Sequence, residues 1–164
     1  MINPAKPHAA PYFHHAAGRG QLVHHIDIDR PPAEVFAVAT DPLRFPEWQR
    51  DVTKARFETG DPAGVGTVFA TSRRIGGMEV SQRQQVTENM PPRRWTARGI
   101  DGPIRAHATV AVAPLDDGAR SHVTFTLDFE GPGLGRLMIP QVRRMAAKAA
   151  PTSHQNLKEL LEAN

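Results

Sequence analysis

The sequence predicts an α+β domain in which a meander of seven short antiparallel strands precedes one long C-terminal helix. Three observations carry the prediction. Apolar and polar residues alternate with period two in seven separate runs between residues 22 and 130, the pattern of strands with one buried face. Breakers separate these runs at short intervals: Gly60-Asp61-Pro62, Gly76-Gly77, Met90-Pro91-Pro92, Gly102-Pro103 and the hairpin signal Asp116-Asp117-Gly118. From Leu134 to Leu161 the period becomes helical, with Leu137, Met138, Val142, Met145, Ala146, Ala149, Leu157, Leu160 and Leu161 forming an apolar stripe.

In the first strand Leu22, His24, Ile26 and Ile28 share one face, and Val23, His25 and Asp27 the other. Two short helices follow. Asp29 is placed to cap the first, whose opening turn holds Pro31 and Pro32, where a missing N–H costs nothing. Val35, Phe36 and Ala39 recur at helical spacing, and Thr40-Asp41-Pro42 ends this helix and starts another carrying Phe45 and Trp48. The remaining strands are expected near residues 51–58, 66–75, 78–88, 94–100, 104–113 and 121–130. The last is the clearest, with Val123, Phe125, Leu127 and Phe129 on one face. Pro151 removes one N–H from the long helix and predicts a kink or local break.

A chain of 164 residues suits one core. Residues 1–20, rich in Pro, Ala, His and Gly without periodicity, read as a mobile N-terminal arm, and residues 21–164 as a single domain. With no cysteine there is no disulfide framework, thiolate metal site or cysteine nucleophile. No apolar run approaches the ~18 residues of a membrane span, and the first twenty residues lack the apolar centre of a signal peptide. A cytoplasmic location is expected. The net charge is only +3, and the basic pairs Arg73-Arg74, Arg93-Arg94 and Arg143-Arg144 are scattered, which is not a nucleic-acid footprint. His14-His15 and His24-His25 lack a carboxylate or Cys to complete a ligand set, and neighbours on a strand point apart. No metal or other cofactor is expected. There is no G-x-S-x-G elbow, phosphate-binding Gly loop or H-E-x-x-H helix.

The stretches IDRPPAEVFAVATDPLRFPEWQRDV (residues 28–52), GVGTVFATSRRIGG (64–77), VTENMPPRRW (86–95) and PLDDGARSHVTFTLDFE (114–130) resemble the START-like, Bet v 1-like superfamily, in particular its bacterial polyketide cyclase/dehydrase and lipid-transport branch. The resemblance spans about residues 21–163. It implies a helix-grip fold: a curved seven-stranded antiparallel sheet wrapped around the long C-terminal helix, with two short helices between strands one and two. Members bind or transform very different ligands, so the fold alone does not name a reaction.

Small side chains at Ala97, Ala106, Ala108, Ala146 and Ala149 leave room for a cavity between sheet and helix, unless Phe69, Trp95, Phe125 and Met145 fill it. If Phe69 points inward, so do Thr71, Arg73 and Ile75, while Ser72 and Arg74 face out. An inward Arg73 suits a carboxylate or a developing oxyanion. The segment Thr71-Ser72-Arg73-Arg74 also resembles a Ser-x-Arg strand element of aromatic polyketide cyclases, which would need Ser72 and Arg74 inside, through the opposite register or a bulge near Gly76-Gly77. An inward Val86 brings Gln84, Gln82 and Val80 with it, and buried glutamines need partners. Trp48 and Trp95 offer stacking surface or simply core. The expected ligand-binding set is Trp48, Phe69, Thr71, Arg73, Gln82, Gln84, Trp95, Ala108, Phe125, Met138, Val142 and Met145, with Arg73, Arg74 and Ser72 as catalytic candidates. His107 falls on the outer face, and Gly131-Pro132-Gly133-Leu134-Gly135 reads as a hinge or cavity lip.

Two main functions follow. One is a carrier or sensor that binds a small hydrophobic molecule, such as a lipid, isoprenoid or polyketide-like aromatic. The other is a polyketide cyclase, aromatase or dehydratase acting on a poly-β-ketone chain, for which no interior base is evident, since the one tyrosine, Tyr12, lies in the arm. A protein-interaction module is a third, marked by a filled core and an exposed apolar patch.

Overall fold

The protein is described by a computed structural model covering residues 20–61 and 64–164. Most of the expected arm, with Tyr12 and His14-His15, lies outside the described residues. Strands β1 (Leu22–Ile28), β2 (Val52–Thr59), β3 (Val68–Ile75), β4 (Met78–Met90), β5 (Arg94–Gly99), β6 (Arg105–Leu115) and β7 (Arg120–Glu130) form one sheet in the order β1-β7-β6-β5-β4-β3-β2. Every neighbouring pair is antiparallel. The meander β2 to β7 is closed by β1, which returns to pair with β7. Between β1 and β2 lie helix α1 (Pro32–Ala39), a 3-10 turn (Pro42–Arg44) and the single turn α2 (Phe45–Trp48). A second 3-10 segment (Gly133–Met138) leads into α3 (Ile139–Glu162). The architecture is the helix grip: a curved open sheet holding a long C-terminal helix.

Asp29 does not cap α1. The cap position is Pro31, extended at φ −60° and ψ 150°, with Pro32 opening the helix. Asp29 lies two residues too early and is used elsewhere: its carboxylate pairs with Arg120, and its N–H donates to Glu162 Oε1 at 2.8 Å, which fastens the end of α3 to the end of β1. Asp41 takes the capping role at the next turn, accepting from the Leu43 N–H at 3.0 Å.

Helix α3 runs without interruption through Pro151, so the expected local break is absent. Pro151 and Ala147, whose carbonyl loses its helical donor, both face solvent. Water satisfies that carbonyl at little cost, so the turn survives.

The core lies on the concave face. Ile28, Val112 and Val123 form its floor, Val35, Phe36, Val38 and Ala39 of α1 close one end, and Leu157 and Leu161 of α3 press in from above. Phe45 stacks edge-on against Trp48, Phe69 and Trp95, with ring centroids 5.8 to 6.3 Å apart. These aromatic residues occupy the middle of the sheet's hollow, as the filled-core alternative anticipates for Phe69, Trp95 and Phe125.

Candidate ligand groove

Residues on the concave face follow the strand register. Phe69, Thr71 and Arg73 of β3 lie opposite Gln84, Gln82 and Val80 of β4. Gln84 faces Gly99, and Val86 faces Ala97. Ala97 faces Ala108, which faces Leu127, and Ala106 faces Phe129. The result is a floor of small residues on β5 and β6, with the polar side chains of Thr71, Gln82 and Gln84 at one end and Leu127 and Phe129 at the other. Helix α3 packs mainly on β1, β7, α1 and α2. Its first half therefore overhangs this floor and does not seal it. Val142, Ala146 and Ala150 are half-buried on the side facing the sheet.

A cleft of about 470 Å³ opens at the corner where β7 meets α3, lined by Arg105, Phe129, Glu130, Gly131, Pro132, Arg136 and Ile139. A smaller hollow of about 280 Å³ lies on the convex face around His107, Thr109, Thr126 and Asp128, and His107 is on that outer side as expected.

Two buried polar atoms on the concave side lack hydrogen-bond partners among the described residues: Thr71 Oγ1 and Trp48 Nε1. Thr71 is only 1% exposed, and Gln84, a strand away, is also buried. A hydroxyl held this way without a partner costs about 1–3 kcal/mol.

The β3 alternation places Arg73 on the concave side, and its guanidinium is already engaged. Nη1 donates to Asp51 Oδ2 and Nη2 to Gln49 Oε1, both at 2.8 Å. Ser72 and Arg74 do not reach the interior. Ser72 pairs with Ser81 across the outer face at 3.3 Å, and Arg74 is exposed opposite Glu79. The irregularities in this part of the sheet lie in β2, between Val52 and Lys54 and between Phe57 and Thr59, and no shift near Gly76-Gly77 rotates the end of β3.

Trp48, Phe69, Trp95 and Phe125 are buried in mutual contact, and Ala108 and Val142 border the open floor. Met138 and Met145 are not on the inner side: they are 53% and 42% exposed. The packed face of α3 runs through Val142, Ala146, Ala150, His154, Leu157 and Leu161, so the two methionines and Ala149 turn outward. The expected lip is also tighter than its glycines suggest. A Cβ at Gly135 or Gly131 would come within 2.0 or 2.5 Å of the Pro103 carbonyl oxygen. Both glycines are needed for close backbone approach to the β5–β6 loop.

Sequence reading missed the interior histidine pair. His154 Nδ1 lies 2.8 Å from His24 Nδ1, and its ring stacks on Phe125 with centroids 3.7 Å apart. Only one proton fits between the two nitrogens, so one ring donates and the other accepts. Burial, reinforced by His24, lowers the His154 pKa from 6.5 to about 3, which keeps it neutral. The signals were present: alternation put His24 on the inner face, and 154 falls on the helical repeat 146, 150, 154, 157 and 161. The apolar stripe overlooked His154 because it counted only hydrophobic residues. No group of three or more His, Cys, Asp or Glu able to hold a metal occurs among the described residues, and no helix there is long and apolar enough to cross a membrane.

Comparison with known proteins agrees with this architecture. Among curated relatives, Toxin Rv0910 of Mycobacterium tuberculosis (strain ATCC 25618 / H37Rv) is 28% identical over 110 residues, 66% of this chain and 75% of its own length. A START superfamily protein from Mycobacterium smegmatis superposes with a TM-score of 0.70 at 13% identity, over 87% of this chain and 97% of its own. The Zhui aromatase/cyclase from Streptomyces sp. R1128 gives a TM-score of 0.68 at 15% identity, over 87% of this chain and 93% of its own. At such identities the structural likeness speaks to the fold. Residues 19–162 match the family described as polyketide cyclase / dehydrase and lipid transport; the chain belongs to that family.

Proposed function

We propose that the protein binds a small hydrophobic molecule bearing a carbonyl or hydroxyl group, as a carrier or sensor. The molecule lies along Ala106 and Ala108 under the first half of α3, with its polar end toward Thr71, Gln82 and Gln84. The observation that carries this reading is the buried Thr71 hydroxyl, which no group among the described residues satisfies, close to the buried Gln84 in otherwise apolar surroundings. A ligand oxygen relieves that cost, and the small floor residues give its apolar body somewhere to lie. Arg73 contributes by holding Asp51 and Gln49, and so the α2–β2 connection, rather than by meeting the ligand as a free cation.

Native mass spectrometry of the purified protein, followed by thermal shift against fatty acids, isoprenoids and aromatic polyketides, tests the reading. Bound or stabilising ligand is expected, and Thr71→Val should weaken it about 3- to 10-fold, the worth of one hydrogen bond. Absence of both bound ligand and any thermal shift would sink it.

A second reading, a cyclase or aromatase, is favoured by the His24–His154 pair, which puts a neutral imidazole inside the fold as a candidate, weakly basic, proton acceptor. His154→Phe separates the two: an enzyme loses turnover of a poly-β-ketone with binding partly kept, whereas a carrier shows no turnover to lose.

A further inference from the structure

The segment that roofs the cleft presents apolar side chains to the outside. Leu134, Leu137 and Met138 in the 3-10 segment are 82%, 78% and 53% exposed, and Met145 follows on the outer side of α3. Met138 and Met145 are seven residues apart, two helical turns, so they point the same way. The charges around them are of one sign. From Gly131 to Lys158 the chain contains five Lys or Arg and no Asp or Glu. Arg143 pairs with Asp128 and Lys158 with Glu162, whereas Arg136, Arg144 and Lys148 are exposed and form no ion pair among the described residues.

Scattered apolar residues on a surface need no explanation, but four long ones on one convex segment among uncompensated cations do. We infer that this segment docks the protein onto an anionic lipid surface, with Leu134, Leu137, Met138 and Met145 entering the headgroup boundary and Arg136, Arg144 and Lys148 meeting lipid phosphates. The same composition, an apolar edge flanked by cations, defines helices that lie in the membrane interface. Charge excludes the nearer alternatives. Residues 1–19 carry Lys6 and Arg19 and no acidic residue, and a second copy would bring the same cationic segment. The apolar groups are also exposed and line neither cleft described above, which suits a deformable bilayer better than a shaped protein partner. Docking this way sets the cleft mouth, at Pro132, Arg136 and Ile139, against the lipid. That consequence rests on the ligand-binding reading; the docking itself does not.

Flotation of the full chain with vesicles tests the inference. Phosphatidylcholine vesicles containing phosphatidylglycerol are expected to carry the protein, pure phosphatidylcholine vesicles much less, and 0.5 M salt should release it. Each cation removed is expected to weaken partitioning about fivefold, so Arg144→Glu with Lys148→Glu should lower it roughly 25-fold or more. Leu134→Asp with Leu137→Asp should abolish it, while Met90→Asp, an exposed methionine at the opposite end of the sheet, should leave it unchanged. Wild-type protein that stays unbound, or binding equally resistant to both double variants, overturns the inference. Lack of vesicle binding with tight binding to a poly-glutamate peptide overturns it too and assigns the segment to an acidic protein. Ligand binding with no flotation refutes docking alone, and flotation with no ligand binding refutes the ligand reading alone.

Discussion

The two halves of α3 share one helix and differ in almost every physical respect. Between Ser153 and Glu162 the helix sinks into the grip of the sheet: His154, Leu157 and Leu161 are buried, and Asn156 Nδ2 donates to the Trp48 carbonyl at 3.2 Å. Between Ile139 and Ala150 it rides above the small-residue floor, with Met145 exposed and only a half-buried inner edge. Hydrophobicity does not explain the contrast, because the surface half carries methionine and the core half carries a histidine. What differs is the surface beneath. Trp48 and Phe125 meet the second half through His154, whereas the first half faces only the small, half-buried Ala106 and Ala108.

The sharpest way to break the comparison is to remove one side chain from each half. Leu157→Ala should cost about 2–5 kcal/mol in chemical denaturation, as a cavity in a rigid core does, whereas Met145→Ala should stay within about 0.5 kcal/mol. Similar losses from both would mean that the first half is packed as tightly as the second.

Acid probes the buried half next. The folded-state pKa of His154 lies below its unfolded value, so the unfolded chain takes up a proton first as pH falls. Stability is therefore full above pH 6.5 and declines below it, by about 2 kcal/mol between pH 7 and 5 if the unfolded histidine titrates normally. Thermal melts at those two pH values check this, and His154→Phe should remove most of that loss.

A smaller effect marks the link between the groove and α2. A double-mutant cycle on Arg73→Met and Asp51→Asn should give a coupling of about 1 kcal/mol or less, because both side chains remain partly in water.

The fold was legible because its signals are local. Alternation in β1 and β7, the prolines at the start of α1 and the aspartate turn before β7 each depend on a few neighbouring residues. Alternation also placed Arg73, Gln82 and Gln84 on the concave side. The candidate site was less legible because engagement is not local. Nothing near Arg73 in the chain says that Asp51 and Gln49 already hold its guanidinium, and nothing beside Asp29 says that Arg120, ninety-one residues away, claims its carboxylate. The stripe on α3 erred for a related reason. Its apolar residues cover more than one face, and only the sheet decides which of them are used.

The contact of Gly131 and Gly135 with the Pro103 carbonyl has a consequence for mutational tolerance. The segment from 131 to 138 is mostly exposed and in most proteins would accept nearly any substitution. Here a saturation scan should find two intolerant positions in a permissive stretch, since even alanine at either would push the β5–β6 loop aside. Leu134, Leu137 and Met138 between and beyond them should vary freely in a selection for folding alone, and a selection for anything those residues touch would appear as a departure from that background.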